Sequence, residues 1–314
     1  MAKEEIKLHD LVCGHDPGEI GAEIGRIVAM VADDFDLQRF RTAMADLIRL
    51  FAGEYPGFQA SDTSYHDLEH TNAVVLTTAR LLHGLLLDDG VRFPGSQVLV
   101  GLLAAIFHDS GLILKAEERE DSGARHMVGH EKRSICLAAE YLRAHGFSAE
   151  EIEDCTTIIM ATILGQPLAK IPFRDESTLL LGKVLGSADL LAQMADRAYL
   201  EKLPLLYREF VAAGVEGYES ELDLLRKTNA FYRSLARPRL ADELDNVQRV
   251  LRAHFRVRWG IDRDLYAGAI ESNLSYLQKL LEKCGDTYDC YLENLNRGGI
   301  VSRSRDKDGD KQLL

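Results

Sequence analysis

The sequence predicts an all-α protein, and three observations carry that prediction. Apolar residues recur with a period near 3.6 along almost the whole chain. Sustained alternation of Val, Ile and Thr with polar residues, the mark of a half-buried strand, is hard to find. Residues that start and stop helices fall between the periodic stretches.

Taken in order, Asp16-Pro17 reads as an N-cap followed by proline in the first turn, where a missing N–H costs nothing, and opens an amphipathic stretch to about Val31. Helical patterns follow at 37–52 and 68–87. A cluster of Pro, Gly and charge at 88–95 makes a loop before the strongly apolar helix 97–107. The next helix, 131–144, is stopped by Gly146, and Ser148 with Glu151 forms a capping box for the one after it. Beyond a second loop at 166–176, helices are expected at 179–197, 200–213, 220–234, 239–256 and 265–283.

No repeat and no linker divides the chain. Residues 1–296 are expected to form one all-α globule, with a core at about 61–200 flanked by N-terminal helices in 1–60 and C-terminal helices in 201–296. Residues 297–314, dominated by Gly, Ser, Arg, Asp and Lys, are expected to be a disordered tail.

Thirty-seven Lys and Arg face 50 Asp and Glu across 314 residues, a formal charge of −13, which disfavours a nucleic-acid polymer as partner. A small phosphoester or nucleotide is compatible with that charge, because a bound cation reverses the local sign of an acidic site. The five cysteines are odd in number and contain no Cys-x-x-Cys, so reduced thiols and a cytoplasmic location fit best. The first residues carry no apolar stretch, and the longest apolar run, 98–107, is too short to span a bilayer. No membrane partner is expected, and a homo-oligomer is allowed.

The chemistry concentrates in four places. In Tyr65-His66-Asp67-Leu68-Glu69-His70-Thr71, two histidines four apart project from one face at a helix start. His108 and Asp109 close the apolar helix 97–107, where burying two ionisable groups is costly without partners or a metal. His126 and His130 are again four apart, and Asp189 sits in the middle of another apolar helix. Imidazole nitrogen with carboxylate oxygen suits Mg²⁺, Mn²⁺, Fe, Ni²⁺ or Zn²⁺, and helices packed around one centre can assemble such a set from distant positions.

The order His…His-Asp…Asp, carried by His70, His108-Asp109 and Asp189, resembles the HD superfamily of metal-dependent phosphohydrolases over roughly 61–200. Tyr65-His66 ahead of His70 is similar to the cyclic-nucleotide phosphodiesterase signature of that superfamily, with Asp67 in place of its Asn and Thr71 in place of its Ala. The resemblance implies a compact multi-helix HD bundle that binds one or two divalent ions through His70, His108, Asp109 and Asp189. His66 becomes the general acid and His130 a ligand of a second ion. His126 is a candidate for a role around the ligands. The implied reaction is attack of metal-bound hydroxide on phosphorus, with an imidazolium protonating the leaving alkoxide. The substrate would be a cyclic nucleotide or related small phosphodiester, and Gln248 falls where a purine-selecting glutamine is expected.

Three other functions compete. One is an HD-type phosphomonoesterase or nucleotidase. Another is a di-iron oxygenase, opposed by the ligand count, since only His145 lies between His130 and Asp189. The third is a non-catalytic nucleotide- or metal-binding signalling module, which has less need of a proton donor such as His66. His9, His15, His83, His145 and His254 read as surface or satisfied core histidines.

Overall fold

The computed structural model describes residues 6–118 and 121–296, so the tail expected at 297–314 lies outside the described residues. Among these residues there are twelve α-helices and no β-strand, as the periodicity predicts. The helices are α1 (Pro17–Val31), α2 (Leu37–Phe51), α3 (Leu68–Asp88), α4 (Gly95–Phe107), α5 (His130–Ala144), α6 (Ala149–Ile159), α7 (Glu176–Ala195), α8 (Tyr199–Ala212), α9 (Glu221–Phe231), α10 (Leu251–Trp259), α11 (Leu265–Cys284) and α12 (Tyr288–Asn294).

Local chemistry sets the helix starts. Asp16 accepts from the Gly18 and Glu19 amides at 2.8 and 3.2 Å, and Ser148 and Glu151 exchange their expected reciprocal bonds at 3.2 and 2.8 Å. Asp67 caps α3 by accepting from the His70 amide at 2.8 Å. Gly146, at φ 73°, takes the left-handed conformation that ends α5.

Helix α3 is the axis of the bundle and packs against α1, α4, α7 and α10. It is buried from His70 to Leu85 almost without interruption, as is α4 from Val98 to Phe107, because helices surrounded on all sides lose the polar stripe of a surface helix. One continuous cluster of buried apolar side chains draws members from every helix, from Ile20 of α1 to Tyr291 of α12. Close approach of α3 to the segment before α10 depends on Gly84, where a Cβ would lie 2.5 Å from the Val250 carbonyl oxygen.

Three expectations are corrected. The single helix at 239–256 does not form. Arg239–Glu243 is a π-helical turn, Asp245 and Asn246 adopt φ of 59° and 51°, Val247–Val250 is a 3₁₀ turn, and only then does α10 begin. Consecutive left-handed residues reverse the backbone twist, which no α-helix survives. Helix α12 forms beyond 265–283, the last helix that the periodicity predicts. The thiols are not all reduced either: Cys284 and Cys290 form a disulfide, brought to a Cα separation of 5.5 Å where the chain turns between α11 and α12. Cys13, Cys136 and Cys155 are free. No described helix is long and apolar enough to cross a membrane.

Candidate metal centre and active site

Four elements deliver the histidine and carboxylate set. His70 comes from the first turn of α3, His108 and Asp109 from the end of α4, His130 from the start of α5 and Asp189 from the middle of α7. The ligand atoms of His70, His108 and Asp109 all lie within 4.8 Å of one another, and all three residues are buried. His70 Nε2 is 3.4 Å from Asp109 Oδ2 and 3.3 Å from Asp189 Oδ1, and His108 Nε2 is 3.1 Å and 3.9 Å from the same atoms. Asp189 is 22% exposed rather than sealed in its helix, because its side chain faces a cavity.

His130 approaches the other oxygen of Asp109, with Nε2 3.1 Å from Oδ1. The start of α5 reaches that position because residue 111 is glycine: a Cβ there would sit 2.1 Å from the His130 carbonyl oxygen. His126 is not brought to the cluster. Its Nε2 bonds Asp121 at 2.7 Å, because residues 123–126 form a separate 3₁₀ turn and the four-residue spacing to His130 is not helical. His145 stacks on Tyr141 at 3.9 Å between ring centroids and donates from Nδ1 to the Tyr141 carbonyl. Gln248 bonds Asn246 and is not among the residues lining the cavity, whereas Gln193 is.

The imidazoles share one arrangement. His108 donates from Nδ1 to the Ala105 carbonyl at 2.8 Å and His130 from Nδ1 to the Met127 carbonyl at 2.7 Å, which turns each Nε2 toward Asp109 as an outer partner does for a metal-bound histidine. His66 follows the pattern with a carboxylate. Its Nδ1 is 2.7 Å from Glu209 Oε2, and a carboxylate only accepts, so the proton sits on Nδ1. Glu209 is itself held by the Ser64 and Tyr65 amides, which donate to Oε1 at 2.8 and 2.7 Å. The His66 ring stands 6.0 Å from that of His70 and 6.1 Å from that of His130.

Electrostatics in the cluster are governed by pairing of its carboxylates with its imidazoles. Burial opposes charge on His70, yet the carboxylates of Asp109 and Asp189 outweigh it and raise its pKa from 6.5 to about 10. His130 is raised to about 9, against its burial, chiefly by Asp109. Burial likewise opposes ionisation of Asp109, but His108, His130 and His70 hold it well below the usual carboxylate range. Asp109 thus retains charge by drawing protons onto neighbouring imidazoles, and metal binding displaces such protons. A second observation agrees. His108 Nε2 and Asp109 Oδ2 are buried 3.1 Å apart, in contact but without the geometry of a hydrogen bond, although polar atoms this deep almost always make one. The donor set therefore fits a divalent cation.

Sequence reasoning missed Glu209, 143 residues from His66, and Lys202. Lys202 is buried beneath the first turn of α3, 3.1 Å from Asp196 and 3.6 Å from Asp67, and it pins the cap that aims His70. Neither carries a local signal, since each reads as an ordinary charge on the helix 200–213. Compared with protein-family models, curated proteins and solved structures, the chain has no match.

Proposed function

We propose that this chain is a metal-dependent phosphohydrolase of the HD type, cleaving a phosphodiester such as a cyclic nucleotide or a related small phosphoester. The observation that carries the reading is a buried His70-His108-Asp109 set, of which His70 and Asp109 line one cavity with a histidine oriented by a carboxylate. His70, His108, Asp109 and Asp189 would hold the cation, and His130 stands at the far oxygen of Asp109, where a second would bind. A divalent ion there supplies Lewis acidity, lowering the pKa of water and offsetting charge on phosphoryl oxygens.

The chain's own residues do the rest. Glu209 occupies His66 Nδ1, so Nε2 is the nitrogen that exchanges a proton with a leaving group. Tyr65, whose hydroxyl accepts from Gln193, walls the same cavity and edges the His66 ring at 4.9 Å. This fixes the imidazole in one orientation, the condition for productive proton transfer.

The test combines elemental analysis with turnover of bis(4-nitrophenyl) phosphate, 4-nitrophenyl phosphate and cyclic nucleotides in Mn²⁺ or Mg²⁺. Wild type should hold one or two divalent ions and turn over at least one ester. His66→Ala should keep its metal and lose about 10²- to 10⁴-fold in kcat, while Asp109→Ala should lose the metal. Absence of turnover by fully metal-loaded protein rejects the hydrolase. If wild type and His66→Ala then bind a nucleotide equally, the signalling module takes its place.

A further inference from the structure

The cavity of about 280 Å³ lined by His66, His70, Asp109, His130 and Asp189 has most of its remaining wall from α8, α9 and the segment between them. That wall is apolar: Leu203, Leu206, Phe210, Tyr218, Leu224 and Phe231 line it. Phe210 and Tyr218 stack at 5.2 Å between centroids, 20° from parallel, and present a flat aromatic face. Apolar character continues to the rim, where Val128 and Leu164 stand 72% and 42% exposed.

Of the polar groups that line the cavity, those of Thr162, Thr228, Lys227 and Gln193 donate within the protein, while the Tyr199 and Tyr218 hydroxyls stay available to a ligand. The Thr162 hydroxyl donates to the Ile159 carbonyl and the Thr228 hydroxyl to the Leu224 carbonyl, each at 2.9 Å. Lys227 Nζ donates to the Gly217 carbonyl at 2.9 Å and to Asp223 at 2.7 Å, and the Gln193 amide donates to Tyr65. A nucleobase and ribose bring many donors and acceptors, and each one buried here unpaired would weaken binding roughly 5- to 150-fold.

Resting on the phosphohydrolase reading, we propose that the ester this site takes carries an apolar organic group, alkyl or aryl, in place of a nucleoside. The phosphoryl group lies at the His70-His108-Asp109 cluster. The apolar group lies against Leu206, Phe210 and Phe231, where removal from water supplies affinity.

Titration calorimetry on the metal-loaded full chain tests this with methyl-, butyl- and hexylphosphonate and with adenosine 5′-phosphonate, alongside turnover of bis(4-nitrophenyl) phosphate. Affinity is expected to rise about fourfold per methylene, and adenosine 5′-phosphonate should bind no tighter than methylphosphonate. Phe210→Asn and Leu206→Asn should each flatten the chain-length dependence, with melting curves showing which variant is folded and fit to be compared. A flat alkyl series, or adenosine 5′-phosphonate binding tighter than hexylphosphonate, overturns the proposal while turnover leaves the hydrolase standing. Failure of every phosphonate to bind together with absent turnover overturns both.

Discussion

His66 is oriented by Glu209, 143 residues away in sequence, and its proposed role as general acid rests on that 2.7 Å bond. In the proposed reaction Glu209 would touch no reacting atom and would act as a positioning residue, so its loss should appear in kcat before stability. Glu209→Gln is expected to lower kcat about 10- to 100-fold, with KM and bound metal unchanged and a displaced acid limb in the pH–kcat profile. A variant that merely melts earlier, with kcat and its pH profile intact, would make Glu209 structural. The other residues of the set were legible from their types and order. His108, Asp109 and Asp189 are polar groups placed in apolar stretches, a cost that burial imposes wherever the fold puts them, and His70 is marked by its spacing from His66. His126 shows the limit of spacing: four residues mean one face only if the chain between is helical, and Gly129 at φ 86° starts α5 anew.

Helix starts were readable because an Asp or Ser cap acts on amides two or three residues away. The 231–251 segment was not, because its path is set by what packs against it. Pro238 and the two left-handed residues Asp245 and Asn246 divide a pattern whose periodicity looks unbroken. At the contact of α10 with α3, His254 Nδ1 meets His83 Nδ1 at 2.9 Å in an environment that also holds Arg80, Arg258 and the Glu23 carboxylate paired to Arg258. Burial first, then Arg80, His83 and Arg258, push His254 from 6.5 down to about 2, and burial and Arg258 lower His83. The unfolded chain binds a proton at an ordinary histidine near pH 6.5, which the folded one refuses. Stability is therefore full above pH 6.5 and falls as pH drops below it, by about 2 kcal/mol at pH 5 for His254 alone. Urea unfolding of wild type and His254→Leu at pH 7 and pH 5 checks this. The variant should lose less between the two values, and equal losses would show that His254 titrates normally.

At the scale of the whole molecule, four helix segments meet at one cluster, so a cation bound there crosslinks α3, α4 and α7 at once. Binding only the folded state stabilises it by mass action, about 4 kcal/mol when free metal is 1,000 times Kd. Chelation of loaded protein should thus lower Tm by several degrees and re-addition of Mn²⁺ restore it, while Asp109→Ala should melt at one temperature with or without chelator. A wild-type Tm indifferent to both would remove the metal from the account. By itself, the sequence determined the all-α class, most helix starts and the identity of the cluster residues, because 3.6-residue periodicity, capping and the cost of buried charge act locally or through residue type. The tertiary structure decided which of these residues meet. It joined Glu209 to His66 and Lys202 to the α3 cap, turned His126 away, paired Cys284 with Cys290, and set an apolar wall from α8 and α9 beside the cluster. Each of those outcomes depends on which helix faces pack together, a property of the assembled bundle that no single stretch of sequence contains.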